Sequence, residues 1–262
     1  MSRKSKVTAI VQARTSSSRL PGKVLKDILG KPMILLELER LQRSKLIDEI
    51  MLATSADEND ALLAETVRTA GYPVYQGNLD DVLDRYYQCA KLYTPAHVVR
   101  ITGDCPLIDP QIVDAVIGKH LRDKNDYTSN VLGETTFPDG LDTEVIKFSA
   151  LEQAWKDAKL TSEREHVTQY IIKHPELFKQ GSLRCERGNF GAERWTVDEP
   201  EDFVFINEIY KRLYPSNPAF RMEDVLALLQ KCPELRKINQ GFERNEGLQK
   251  SLKEDKLVKG EC

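Results

Sequence analysis

Three cations and four hydroxyls fall within eleven residues of one loop, Ala13-Arg14-Thr15-Ser16-Ser17-Ser18-Arg19-Leu20-Pro21-Gly22-Lys23. The loop follows a β-branched apolar run at residues 7–11, which reads as a buried strand. In open parallel sheets, ligands bind beyond the carboxyl ends of the strands, where such a loop sits. Guanidinium forks suit phosphate oxygens, a lysine adds a point charge, and free loop N–H groups add donors. Neither GxxxxGK(S/T) nor GxGxxG is present, so the loop is not one of the familiar phosphate cradles. A solvated basic loop is the alternative, made less apt by the loop's position and its hydroxyls.

Two acids repeat a layout of strand, then carboxylate. In Arg100-Ile101-Thr102-Gly103-Asp104-Cys105-Pro106-Leu107-Ile108, Asp104 follows an apolar strand, and Gly103 leaves room for a ligand beside the backbone. Asp104 would share a sheet edge with the cationic loop. A carboxylate beside a polyphosphate calls for a bridging divalent cation. The competing role, capping the helix that begins near Pro110, suits Asp109 better. In Trp195-Thr196-Val197-Asp198-Glu199-Pro200, Asp198 can cap the next helix, hold a cation, or do both.

The elements that must position these residues alternate in the first half of the chain. Strands are expected at residues 7–11, 49–53, 73–75 and 97–101. Helices are expected from Pro32, over 61–70 with Gly71 as the stop, and over 80–92. Such alternation implies an α/β fold with a mostly parallel sheet flanked by helices. Turn signals at Asn130, Gly133, Pro138 and Gly140 suggest a small β excursion beside the sheet at 126–146. Helices follow at 148–158 and 162–173, a strand at 194–197, and helices at 199–213 and 222–230. Residues 1–242 read as a single domain, and the polar segment 243–262 as a loosely held tail.

With 262 residues, 40% hydrophobic and 30% charged, the composition is that of a globular enzyme. The 38 basic and 41 acidic side chains leave a net charge of −3, so no global field points to nucleic acid. The five cysteines are scattered and never spaced CxxC, which argues against a disulfide framework and a structural zinc. No apolar run is long enough for a signal-peptide core or a membrane span, and a reduced cytoplasmic setting is expected.

Ile10-Val11-Gln12-Ala13-Arg14, followed by Ser18-Arg19-Leu20-Pro21-Gly22-Lys23-Val24-Leu25, resembles the signature of the acylneuraminate and KDO cytidylyltransferases. Gly30-Lys31-Pro32-Met33-Ile34 and the Thr102–Ile108 motif continue it in order. Three later strings, Asp139-Gly140-Leu141-Asp142-Thr143-Glu144-Val145, Glu163-Arg164-Glu165-His166-Val167-Thr168 and the segment 194–202, resemble the spore-coat polysaccharide (SpsF-like) branch. The likeness spans residues 7–213. It departs at Gln12, where sialic-acid members carry proline.

The resemblance implies a Rossmann-like, glycosyltransferase-A-like nucleotidyltransferase fold and transfer of CMP from CTP to a sugar-like acid such as a nonulosonic acid. It implies Mg²⁺ as the cofactor and a homodimer, with the 126–146 segment as a candidate contact. Arg14, Arg19 and Lys23 match the triphosphate-binding loop, with Ala13 and Gly103 lining it. Asp104 and Asp198 match the metal-binding carboxylates, and Arg14, Lys23 and Asp104 are the expected catalytic set. Asp142 and Glu144 would share one face of a strand and contact the acceptor or a second ion; a solvated polar stripe is the alternative. Arg164 and His166 can bind an acceptor carboxylate or form ordinary helix salt bridges. A lone histidine on a helix is also more often structural than a general base. Thr54, Ser55, Asp57, Asp80 and Asp81 are placed to reach the cytosine or ribose, although acids at helix N-termini need no ligand.

Two other functions share parts of this pattern. A glycosyltransferase on the same fold would usually carry Asp-x-Asp after the central strand, where this chain has Gly103-Asp104-Cys105. A non-catalytic nucleotide-binding protein would not need the pairing of a cationic loop with two carboxylates.

Overall fold

The computed structural model describes residues 6–242, 244 and 246–258. Residues 1–5, on which the reading of the N-terminus partly rests, and residues 243, 245 and 259–262 of the expected tail lie outside the described residues.

Strand β1 (Val7–Gln12) is the pivot of the sheet. Val7, Ala9 and Val11 pack into one apolar cluster, and Ile10 into the cluster on the opposite face. A strand with this two-faced burial reads as a continuous apolar run. A short hairpin of β2 (Asp27–Ile28) and β3 (Lys31–Pro32) leads into α1 (Met33–Leu41). Then come β4 (Glu49–Ser55), α2 (Ala61–Thr69), β5 (Val74–Gly77), α3 (Val82–Tyr93), β6 (His97–Thr102) and α4 (Pro110–Asp123). The second half supplies β7 (Tyr127–Ser129), β8 (Glu144–Lys147), α5 (Phe148–Asp157), α6 (Thr161–Glu165), α7 (Gln169–Lys173) and β9 (Gln180–Ser182). It closes with α8 (Pro200–Leu213), α9 (Met222–Lys231) and α10 (Glu246–Lys253).

Among the described residues the main sheet has seven strands in the order β5-β4-β1-β6-β8-β7-β9. The β5-β4-β1-β6 half is parallel, and β8 runs antiparallel to both β6 and β7. Residues from α1, α2, α4, α8 and α9 cover one face, and residues from α3, α5 and α7 the other. Because β1, β4 and β6 are parallel, the loop after Gln12 and the turn after Thr102 leave the sheet at the same edge.

The second half differs from the sequence reading in four places. The 126–146 segment is not an excursion beside the sheet: β7 and β8 extend the sheet itself, because β8 satisfies the open hydrogen-bonding edge of β6. Residues 194–197 are extended but form only an isolated bridge, between Arg194 and Asp139. Their N–H groups are divided between two partners, Trp195 N donating to Asp139 O and Val197 N to Asp104 O. The helix expected at 162–173 is two helices, broken at Val167, which has φ 54°. A β-branched residue with positive φ is a backbone outlier, and such outliers gather at functional sites. The described part of the 243–262 segment is held, not loose. Asp255 accepts from Ser162 N (3.0 Å) and Ser162 Oγ (2.7 Å), and Leu257 bridges Leu160. Hydropathy carried no signal for it because these contacts are polar.

Candidate active site

The cationic loop owes its shape to an acid that the sequence reading passed over. Thr15 N and Thr15 Oγ1 each donate to Asp60 Oδ1 at 2.7 Å, and Ser55 Oγ donates to Asp60 Oδ2 at 2.5 Å. Asp60 is buried at the end of the 3-10 turn Glu58–Asp60. Burial alone would raise its pKa, but these donors outweigh it and hold the carboxyl below its usual range. Asp57, chosen from the sequence, instead caps that turn by accepting from Asn59 N at 3.0 Å, and it is exposed. Thr54 is fully buried. Neither lines the cleft. Replacing Asp60 with Ala is expected to leave Thr15 N without its partner, cost about 1–3 kcal/mol of stability and weaken binding of CTP, the ligand the resemblance implies, about tenfold. Thermal unfolding and CTP titration check both effects, and unchanged CTP affinity would rule out Asp60 as the loop's anchor.

Lys23 begins a 3-10 turn that directs it inward. Its Nζ donates to Val197 O (2.7 Å), Asp198 Oδ1 (2.9 Å) and Asp104 Oδ2 (3.1 Å). Burial opposes its charge, yet the two carboxylates prevail and raise its pKa. Asp104 is likewise pushed up by burial but held below its usual value overall, chiefly by Lys23. Arg19 pairs with Asp198 and Glu199, each at 3.1 Å. Arg14 is exposed on the cleft. The three cations therefore differ: Arg14 faces outward, while Arg19 and Lys23 are bound to the carboxylates.

Neither carboxylate is a helix cap. Asp109 caps α4, accepting from Gln111 N at 2.9 Å. At α8, Asp202 accepts from Asp198 N and Glu199 N, each at 2.9 Å. Fully buried, Asp202 also receives two 2.8 Å bonds from Arg194 and one of 2.9 Å from Asn239. That hub fixes the backbone of Asp198 and leaves its side chain to the cleft. Gly103 lines the loop cavity, and it also answers a packing need: a Cβ there would lie 2.7 Å from Ala13 Cβ and 3.0 Å from Gln12 O. Only glycine lets the end of β6 close against the loop.

Three adjoining cavities run along this edge of the sheet. One of about 480 Å³ is lined by Ala13, Arg14, Ser17, Ser18, Arg19, Lys23, Gly103, Asp104 and Asp198. A second, of about 500 Å³, shares Gln12 and Arg14 with it and is walled by Asp80, Asp81, Arg85, Arg100, Arg164 and His166. A third, of about 320 Å³, shares Arg19, Asp104 and Asp198 with the first and Arg100 and His166 with the second. Asp139, Asp142, Glu144, Thr168 and Thr196 also line it, beside apolar residues such as Val131 and Ile172.

The structure thus gathers Ala13, Arg14, Arg19, Lys23, Asp80, Gly103, Asp104, Asp142, Glu144, Arg164, His166 and Asp198 along one cleft. Arg164 has little left to give a ligand. Its Nε and Nη2 grip Asp81, and its Nη1 donates to Trp155 O at 2.7 Å. Burial lowers the pKa of His166 and favours the neutral ring. Asp142 and Glu144 both face the third cavity, but Glu144 is itself paired with Arg100. Asp142 is pushed up to about 7 by burial, against the pull of Arg244, which donates to it at 2.6 Å. Asp60, Arg100, Asp202 and Arg244 were not singled out by the sequence reading. Only the acid-then-helix spacing around Asp60 and Asp202 carried any trace of their roles.

A family model described as cytidylyltransferase matches residues 8–241. The chain is 38% identical over 237 residues to an uncharacterized protein of Methanocaldococcus jannaschii, covering 89% of this chain and 94% of that one. It is 31% identical over 231 residues to the spore coat polysaccharide biosynthesis protein SpsF of Bacillus subtilis, covering 86% and 94%. A solved cytidylyltransferase from Leptospira borgpetersenii superposes with a TM-score of 0.84 at 29% identity, over 91% of this chain and 99% of that one. The cleft of cations and paired carboxylates accordingly sits in a CTP-dependent nucleotidyltransferase: the chain belongs to the cytidylyltransferase family.

Proposed function

We propose that this cytidylyltransferase transfers CMP from CTP to a 2-keto-3-deoxy sugar acid, releasing pyrophosphate, for a surface polysaccharide or glycan. One observation carries the reading: Asp104 and Asp198, with Arg19 and Thr102, form the wall shared by the loop cavity and the third cavity. A phosphate at that seam has the cationic loop on one side and an acceptor-sized space on the other. The triphosphate then follows the loop past Arg14, Arg19 and Lys23. The nucleoside lies toward Asp80 and Arg85, and the acceptor beside Asp142 and Thr168.

The acceptor hydroxyl attacks the α-phosphorus in line, and the bond to the β-phosphate oxygen breaks. Arg14, Arg19 and Lys23 offset the charge that collects on the departing pyrophosphate. Asp142, half-buried on the third cavity and with its pKa pushed up to about 7, suits the role of taking the hydroxyl proton.

The donor set fits Mg²⁺. Asp104 and Asp198 each place a carboxylate oxygen near one point, at 3.1 and 2.9 Å from the same Lys23 Nζ. Among the described residues no group of three or more His, Cys, Asp or Glu could hold a metal, so phosphate and water would complete the shell. Mg²⁺ binds nucleotides in that way, through one or two carboxylates. Asp104 and Asp198 would hold the ion, and its chemistry there is neutralisation of charge on the α-phosphate.

Magnesium-dependent pyrophosphate release tests the reading, with each of the four nucleoside triphosphates offered against a panel of 2-keto sugar acids and neutral sugars. Release with CTP and an acid is expected. Release only with neutral acceptors overturns the acid, and no release with any acceptor overturns the transferase reading itself.

A further inference from the structure

A 2-keto sugar acid carries its carboxylate on the carbon next to the attacking hydroxyl. When that hydroxyl meets the α-phosphate, the carboxylate is brought within a few bond lengths of a phosphate and of Asp104 and Asp198. Without a cation beside it, the acceptor would be repelled at the moment of reaction. Lys23 and an ion held by Asp104 and Asp198 would be spent on those carboxylates and the phosphate, so a further cation beside the seam would offset the acceptor's own carboxylate.

Of the arginines at the cleft, Arg14 lies on the triphosphate loop and Arg85 lines only the second cavity, with its Nη1 on Asn78 O and Leu79 O. Three others are committed elsewhere. Arg164 spends all its nitrogens on Asp81 and Trp155 O. Arg19 lies on Asp198 and Glu199, and Arg244 on Asp139 and Asp142. Arg100 is different. It stands on β6 four residues before Asp104 and lines both the second and the third cavity. Among the described residues its side chain bonds to Glu144, which faces it across the β6–β8 register and receives a bond from Nη1. Its Nε is buried without a hydrogen-bond acceptor among those residues, as are those of Arg85 and Arg244. Its side chain, however, keeps 15% exposure where it lines the two cavities, and its Nη2 bonds to no described residue. A guanidinium has five N–H donors, and donors left unmet on a largely buried side chain are costly.

Glu144 is a fixed support for that guanidinium. Its other oxygen accepts from Tyr127 Oη at 2.5 Å and from Thr168 Oγ1 at 2.8 Å, and its side chain is only 7% exposed. These bonds lock the carboxylate in place and share out its charge, so Arg100 is oriented but not saturated. Thr168 reaches Glu144 from just beyond Val167, the positive-φ residue that breaks α6 from α7. The unusual backbone at Val167 thus turns Thr168 toward the pair.

We infer that Arg100 is the anchor for the acceptor's carboxylate, held in place by Glu144, Tyr127 and Thr168. This replaces Arg164 in the role expected from the sequence, and it rests on the cytidylyltransferase reading with a sugar acid as acceptor. Arginine suits such an anchor because its planar fork matches a carboxylate bidentately.

The test measures binding, so it does not depend on turnover. The protein is saturated with the α,β-methylene analogue of CTP and titrated by calorimetry with 3-deoxy-manno-octulosonate, with N-acetylneuraminate, and with the C1 amide of each. The wild-type chain is expected to bind one acid about 30-fold more tightly than its amide. Arg100→Gln alone would strand a buried Glu144, so the paired variant Arg100→Gln/Glu144→Gln is compared with it. In the paired variant the acid is expected to bind no better than the amide, with affinity for the CTP analogue within about threefold of wild type. The inference is overturned if the wild type fails to prefer the acid, which includes binding neither form. It is overturned equally if the preference survives in the variant, or if affinity for the CTP analogue falls in step. Pyrophosphate release separates the two readings: acid binding through Arg100 with no release from any acceptor would sink the transferase proposal and leave the anchor standing.

Discussion

Asp104→Asn is expected to lower kcat for pyrophosphate release by about a thousandfold or more, about 4 kcal/mol of transition-state stabilisation, while the protein stays folded. The substitution is nearly isosteric, and an amide oxygen can still accept from Lys23 Nζ, now at 3.1 Å from Asp104. What disappears is the negative charge. Asp104 is kept ionised in spite of its burial, because Lys23 and neighbouring donors outweigh the cost. Without that charge Lys23 turns wholly to Asp198, and the pair of carboxylates that fits a divalent cation is broken. Its backbone role is untouched, since Val197 N and Thr196 Oγ1 bond to the carbonyl oxygen of residue 104. Steady-state kinetics with an unfolding curve make the check. Asp109→Asn is the control: Asp109 accepts from Gln111 N and Met222 N, so its loss should cost stability and spare kcat. Activity of Asp104→Asn within tenfold of wild type would remove Asp104 from the chemistry.

The contrast between Asp104 and Asp109 shows what the sequence can express. Parallel strands buried on both faces read as unbroken apolar runs, and β1, β4 and β6 could be placed from them. Once they are placed, the loop at 13–23 and Asp104 must share an edge. Pairings made far apart in the chain left no such trace. Nothing around Arg100 or Glu144 reveals that β8 lies antiparallel to β6 in a register that sets one opposite the other. Local spacing also favoured the wrong acid after β4, because Asp57 lies nearer the strand end at Ser55 than Asp60 does, and only burial marks Asp60 as the anchor. The segment after residue 242 failed for another reason. It is held by hydrogen bonds from Ser162 and by the Arg244–Asp142 pair, and a polar composition cannot distinguish those contacts from solvation.

Lys23→Met is expected to make the stability of the protein depend on Mg²⁺. The methionine keeps most of the apolar stem but removes the ammonium that now joins Asp104, Asp198 and Val197 O. Two carboxylates then face one another with less to offset them. Breaking a buried ion pair from one side costs about 3–5 kcal/mol. Here the carboxylate side chains keep 26% and 23% of their exposure, so water screens part of the repulsion and about 2 kcal/mol is the expected loss. For a chain of this size that lowers Tm by about 4–8 °C. Millimolar Mg²⁺ should recover most of it in the variant, because a cation that binds only the folded pair stabilises by mass action. In the wild type the ammonium already supplies the charge, and Mg²⁺ should shift Tm little until CTP brings phosphate oxygens to the same point. The variant should also raise the KM for CTP more than tenfold while leaving that of the acceptor nearly unchanged. Melting curves with and without Mg²⁺ decide the first point. A variant as stable as wild type, or one that Mg²⁺ does not rescue, would show that Asp104 and Asp198 do not converge on a common cation.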